Sequence, residues 1–209
     1  MILEDIYEFE KIISDEESDY LENYVVKLND WKYWENINYG ENKSKNFMPG
    51  WVTAKFDTKA KNIIENIKTN AFKELNLFEI TPLRIKINKT SKLNISEREC
   101  YSGMHVDNPN IDYPNHIILI YYINDASGET LISDLHVKNV KNLEELNQKI
   151  TSGEYCNFNI IKRITPKKGK LLVFDGGLFH CGLWPTDGDR YNININSKIK
   201  NIKLQKTFT

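Results

Sequence analysis

The stretch "HIILIYYIN", residues 116–124, has no Asp, Glu, Lys or Arg in nine positions and is apolar on both alternating faces. A strand of that kind must be covered from above and below, so it belongs at the centre of a sheet that is itself buried. The segments around it agree. "LRIKIN" alternates, "GETLIS" follows a turn, "CNFNIIKRIT" and "GKLLVFD" read as strands, and "RYNININ" alternates cleanly. Two helical patterns precede them. Ser14 stands before an acidic first turn, and Tyr20, Leu21, Tyr24, Val25 and Leu28 then recur at helical spacing. "DTKAKNIIENIKTNAFKEL" carries Ile63, Ile64, Ile67 and Phe72 as its stripe. "KNLEELNQKITSG" reads as a short, largely solvated helical insertion ended by Gly153. Helices first and then many short strands predict a mainly β chain, a β-sandwich or jelly roll with the N-terminal helices packed on one side.

A length of 209 residues fits one domain, 1–209, with a helical part at 1–80 and a β core at 81–200. No repeat or linker divides it. A net charge of −1 with 40% hydrophobic residues gives no basic surplus for nucleic acid, which argues against that class of partner. No apolar run approaches the ~20 residues that cross a bilayer, so no membrane partner is expected. The N-terminal "MILEDIYEFEKII" is acidic and amphipathic where a secretory signal is basic and then apolar. Three cysteines, Cys100, Cys156 and Cys181, stand at unpatterned spacings, which points to neither a disulfide framework nor a zinc site. A reducing cytoplasm is the expected location.

The chemistry lies in "YSGMHVDNPN". His105 and Asp107 are two residues apart, so on an extended chain both side chains leave one face. With four His and 29 acidic residues such a pair arises readily by chance. It gains meaning from "GKLLVFDGGLFHCGLWPTDGDRYNININ", where an apolar strand runs through a Gly-Gly turn to His180, and Arg190 opens the next strand. Two imidazoles and a carboxylate on one face of an octahedron leave the opposite face open for a co-substrate and O₂, the arrangement of a mononuclear Fe(II) oxygenase. An arginine suits the distal carboxylate of 2-oxoglutarate, because a guanidinium meets a carboxylate with two parallel hydrogen bonds. The chain has only four arginines. His136 is the rival third ligand, with Asp134 two residues before it; His116 reads as structural or exposed. Arg190 paired with Asp187 or Asp189 is the bland alternative.

At these residues the chain resembles the Fe(II)/2-oxoglutarate-dependent dioxygenases of the prolyl-hydroxylase-like group. "HVDNPN" followed by "YYIN" is similar to the equivalent stretch of the hypoxia-inducible-factor prolyl hydroxylases. "LRIKIN", "YYIND", "GETLIS", "GKLLVFDGGLFHCG" and "DRYNININ" resemble small phage and marine-bacterial members, and the likeness spans about residues 83–197. The resemblance implies a double-stranded β-helix with His105, Asp107 and His180 as the iron ligands and catalytic centre. It implies Arg190 as the clamp on the 2-oxoglutarate C5 carboxylate, with Tyr122 offering a hydroxyl to it. Asn192, on the strand face of Arg190, would assist, and Tyr101 and Lys86 are weaker candidates near the C1 end. Parity within "HIILIYYIN" does not choose between Tyr121 and Tyr122; only the resemblance favours Tyr122. The departure is an insertion at about 133–166, a substrate-covering element or a surface excursion.

The implied cofactors are Fe(II), 2-oxoglutarate as co-substrate and O₂, with ascorbate as an optional accessory. The implied reaction is hydroxylation of a C–H bond of a protein or peptide residue, prolyl included, or of a small molecule, with release of succinate and CO₂. The alternative reading is a cupin-like jelly-roll metal-binding protein without 2-oxoglutarate chemistry. Protein prolyl, free amino acid, nucleobase and small metabolite remain open as prime substrates, because specificity lives in loops.

Overall fold

The structure, a computed structural model, describes residues 6–34, 50–93, 103–107, 115–155 and 157–201. It is mainly β. Strands β1 (Tyr7–Phe9), β2 (Lys32–Trp34), β3 (Gly50–Thr53), β4 (Phe78–Ser91), β5 (His116–Tyr122), β8 (Leu171–Asp175) and β10 (Asp189–Asn201) form a seven-stranded sheet, in the order β1-β8-β5-β10-β4-β3-β2. Strands β6 (Thr130–His136), β7 (Ile160–Ile164) and β9 (Leu178–Gly182) form a second sheet, in the order β7-β6-β9. The pairs are antiparallel, and the two sheets make the jelly roll.

Strand β5 is buried at every position. Its two faces feed two different cores. Ile117, Leu119 and Tyr121 face outward beneath the helices, together with Ile193 and Ile195 of β10. Ile118, Ile120 and Tyr122 face inward, against Leu172 and Phe174 of β8 and Ile132 and Ile164 of the smaller sheet. Helix α1 (Asp15–Val26) begins in a complete capping box, with Ser14 and Glu17 satisfying each other's backbone N–H groups. Helix α2 (Thr58–Glu74) is capped by the Asp57 carboxylate, which accepts from the Ala60 N–H. Leu21 and Val25 of α1, and Ile63, Ile64, Ile67 and Ala71 of α2, close the outer core. The Tyr121 hydroxyl ties it to α1 by donating to Ser18 Oγ at 3.0 Å.

The portion read as helical, 1–80, also supplies β1, β2 and β3 to the edges of the larger sheet. These strands have three or four residues each, too short to show a period. The excursion expected at 133–166 is shorter. β6 runs to His136 and β7 starts at Ile160, and both pair within the smaller sheet, so the added segment is 137–159. It contains helix α3 (Leu143–Thr151). Ile150 and Phe158 pack there with Met104, Val106, Phe179 and Cys181, while Leu143, Leu146 and Tyr155 lean on the same cluster. Phe179 and Cys181 flank His180 and leave β9 by the opposite face. The excursion therefore buttresses the back of the strand that carries His180. No described helix is long and apolar enough to cross a membrane.

Candidate metal centre

His105 and His180 are directly opposite each other in an antiparallel bridge. They exchange both backbone hydrogen bonds, His105 N–H to His180 O and His180 N–H to His105 O, each at 3.0 Å. Residues paired in this way send their side chains to the same face, and the ring centroids lie 4.5 Å apart. Asp107 follows on the same face, with Oδ1 at 3.3 Å from His105 Nε2. The three residues offer ligand atoms that all lie within 4.8 Å of one another. The rival, His136, turns elsewhere: its Nε2 contacts Asp175 Oδ1 at 3.2 Å, and its Nδ1 accepts from the Lys138 N–H.

Each imidazole of the cluster is oriented by the carbonyl two residues before it. His105 Nδ1 lies 2.8 Å from Gly103 O, and His180 Nδ1 lies 3.0 Å from Leu178 O. A carbonyl only accepts, so each Nδ1–H donates to it, which leaves Nε2 as the atom of each ring that would face a metal. Burial, then the charge of His105, pushes His180 down to about 3, which keeps it neutral. Burial pushes the Asp107 carboxyl up, but the contact with His105 and the charge of Lys86 outweigh it and hold it well below the usual range. Two imidazoles and one ionised carboxylate form a donor set that suits Fe(II).

The inner face of β10 carries Arg190, Asn192, Asn194 and Asn196, all buried. Across it on β4 stand, in register, Thr90, Asn88, Lys86 and Arg84. Arg190 is 3% exposed, and its Nη1 donates to Gly128 O at 2.6 Å and Leu183 O at 3.1 Å. Beneath it is Gly182, where a Cβ would lie 2.2 Å from Arg190 Nη2. Thr90 Oγ1, directly across the strand pair, is buried with no hydrogen-bond partner among the described residues. An always-charged fork beside that hydroxyl is chemically suited to a carboxylate.

Asn192 shares the face of Arg190, and its Oδ1 accepts from Asn88 Nδ2 at 3.1 Å. Tyr122 points inward and Tyr121 outward, which resolves the parity. The Tyr122 hydroxyl, however, donates to Thr130 Oγ1 at 2.7 Å. Burial raises it to about 12, against the pull of Thr130 and of the Arg190 charge. Lys86 is 6% exposed; burial lowers its ammonium to about 8, and the charge of Asp107 opposes the shift. Tyr101 lies outside the described residues.

Sequence reasoning missed three residues that touch Asp107 and a fourth, His116, that stands behind one of them. Asn194 Nδ2 and Asn196 Nδ2 each donate to Asp107 Oδ2 at 2.8 Å. Arg84 Nη2 lies 3.3 Å from Asp107 Oδ1, and His116, read as structural or exposed, is buried with Nε2 2.7 Å from Asn196 Oδ1. The available signal was the alternation of "RYNININ", which puts every second residue after Arg190 on one face with it.

No protein-family model and no curated protein matches the sequence. Solved structures do match. The viral collagen prolyl hydroxylase of Paramecium bursaria Chlorella virus-1, in its 2-oxoglutarate complex, is 16% identical, with 94% of this chain and 96% of that chain covered and a TM-score of 0.54. The fold is that of the prolyl hydroxylases. A prolyl hydroxylase from Trichoplax adhaerens, in complex with a hypoxia-inducible-factor peptide fragment, is 11% identical, covering 93% of this chain and 84% of that one, at a TM-score of 0.60. AviO1 from Streptomyces viridochromogenes is 13% identical, covering 95% and 91%, at 0.63.

Proposed function

We propose that this chain is an Fe(II)- and 2-oxoglutarate-dependent oxygenase that hydroxylates a C–H bond of a peptide residue, prolyl included, or of a small molecule. The observation that carries the reading is the His105, Asp107 and His180 cluster, whose ligand atoms all lie within 4.8 Å of one another. The structural relatives add weight: one was solved with 2-oxoglutarate and another with a peptide.

The three side chains would hold Fe(II) and leave its opposite face open. Bound iron supplies the chemistry of O₂ activation, coupled to decarboxylation of 2-oxoglutarate to succinate and CO₂. The protein's own part is positioning. Gly103 O and Leu178 O fix the imidazole tautomers, Arg190 receives the C5 carboxylate, and the apolar inner core of β5 and β8 keeps water from the centre. Tyr122, committed to Thr130, would turn its hydroxyl toward the carboxylate only by giving up that bond.

Anaerobic titration with Fe(II) and then 2-oxoglutarate tests the reading, followed by measurement of succinate after O₂ is admitted. The parent should bind both and form succinate. His105→Ala, Asp107→Ala and His180→Ala should each lose metal and turnover, and His136→Ala should keep both. Metal binding without 2-oxoglutarate binding would favour the cupin-like alternative.

A further inference from the structure

Resting on the oxygenase reading, we infer that Asn194, Asn196 and His116 form a positioning relay that confines Asp107 to a single metal-binding oxygen. An octahedral ion with two imidazoles and one carboxylate oxygen keeps three positions. A chelating 2-oxo acid would take two of them and leave one for O₂. A carboxylate that bound through both oxygens would take that last position. What keeps the second oxygen away therefore decides whether the site can react.

In this chain the second oxygen is already occupied. Oδ2 of Asp107 accepts from Asn194 Nδ2 and from Asn196 Nδ2, each at 2.8 Å, and the side chain of Asp107 is 1% exposed. The Asn196 amide also donates to Asn194 Oδ1 at 2.6 Å, so the two amides brace each other. Their direction is set from behind. Asn196 Oδ1 lies 2.7 Å from His116 Nε2 and can only accept, so His116 donates there. That bond forbids the flipped amide, which would aim its oxygen at the carboxylate. His116 is held in turn against Gly176, where a Cβ would come within 2.2 Å of Nδ1. Burial lowers His116, which keeps it the neutral donor that the relay needs. The other oxygen, Oδ1, is approached by His105 Nε2 and by Arg84 Nη2, both at 3.3 Å. Arg84 reaches it on a side chain 41% exposed, which can swing aside into solvent.

The test uses the full chain. Cobalt(II) bound without 2-oxoglutarate, examined by X-ray absorption, reports whether Asp107 binds through one oxygen or two. It should show one in the parent and two in the Asn194→Ala/Asn196→Ala double variant. The Fe(II) protein with 2-oxoglutarate is then titrated with nitric oxide, a surrogate for O₂, and followed by paramagnetic resonance. The double variant should keep 2-oxoglutarate affinity and take up nitric oxide about 10–100-fold more weakly, the range expected for a residue that orients a ligand. His116→Phe, which touches neither Asp107 nor the metal, should reproduce part of this loss, and His116→Gln should restore it. Single-oxygen coordination in both variants, or undiminished nitric oxide uptake, would overturn the relay. A parent that binds cobalt but not 2-oxoglutarate would sink the oxygenase reading, and the X-ray absorption would still decide the relay.

Discussion

Strands β5 and β10 lie side by side in one sheet, and both are buried. β5 is apolar toward both cores, as its sequence demands. β10 is apolar only outward, through Tyr191, Ile193 and Ile195; inward it presents Arg190 and three asparagines, each under 8% exposed. A buried polar group left unpaired costs about 1–3 kcal/mol, so a face of this kind does not arise for stability. It is kept by its hydrogen bonds: Asn192 with Asn88, Asn194 and Asn196 with Asp107, and Arg190 with two carbonyls. β5 is built for packing alone, and the inner face of β10 is built around hydrogen bonds.

The sharpest way to break that contrast is Arg190→Ala. Under the proposed function it should weaken 2-oxoglutarate binding by a loss on the order of 2–5 kcal/mol, roughly 30- to 5,000-fold. Arg190→Lys should fall between, since an ammonium keeps the charge and loses the fork. Calorimetric titration of the metal-loaded, anaerobic protein measures both, and unchanged affinity in Arg190→Ala would remove the binding role from β10.

On the other side of the contrast, Leu119→Ala on β5 should cost about 2–5 kcal/mol of stability by opening a cavity under the helices. Affinity for Fe(II) should not follow. Denaturant unfolding beside a metal titration checks this, and a matching loss in both would mean that the two strands are not separable.

The smallest effect is at the sheet edge. Glu8 of β1 reaches Lys162 of β7 at 2.8 Å and Lys170, just before β8, at 3.1 Å, a charged link between the edges of the two sheets. Burial pushes its carboxyl up, but the hydrogen bonds and charges of Lys162 and Lys170 bring it below the ordinary value. A carboxyl lowered on folding adds stability above its unfolded value, and that stability is lost as pH falls through the folded one. Glu8→Gln should cost less than about 1 kcal/mol at neutral pH. It should also flatten the fall of the unfolding midpoint in acid; an unchanged acid limb would discount the bridge.

What could be read from the sequence was local. Ser14 with its acidic turn placed α1, the stripe Ile63, Ile64, Ile67 placed α2, and the two-residue spacing of His105 and Asp107 put both on one face. Facing between elements was not legible. Both sides of β5 are apolar because each meets its own core, so nothing within the strand separates Tyr121 from Tyr122. The role of Asn194 and Asn196 depends on a carboxylate some ninety positions earlier, which no pattern within β10 reveals. The limits of the excursion depend on pairing, Ser133 with Ile160 and His136 with Leu178, which no local pattern marks.

The missing side chain at Gly182 has a practical consequence. The atom that an added methyl would strike is the tip of Arg190, the most easily displaced part of a long side chain, and not the backbone. Gly182→Ala should therefore leave the barrel and the metal ligands standing while the guanidinium is pushed off its two carbonyls. Under the proposed function, that one methyl would give a decoupled control protein, charged with metal yet deaf to 2-oxoglutarate, against which effects of the metal alone can be weighed.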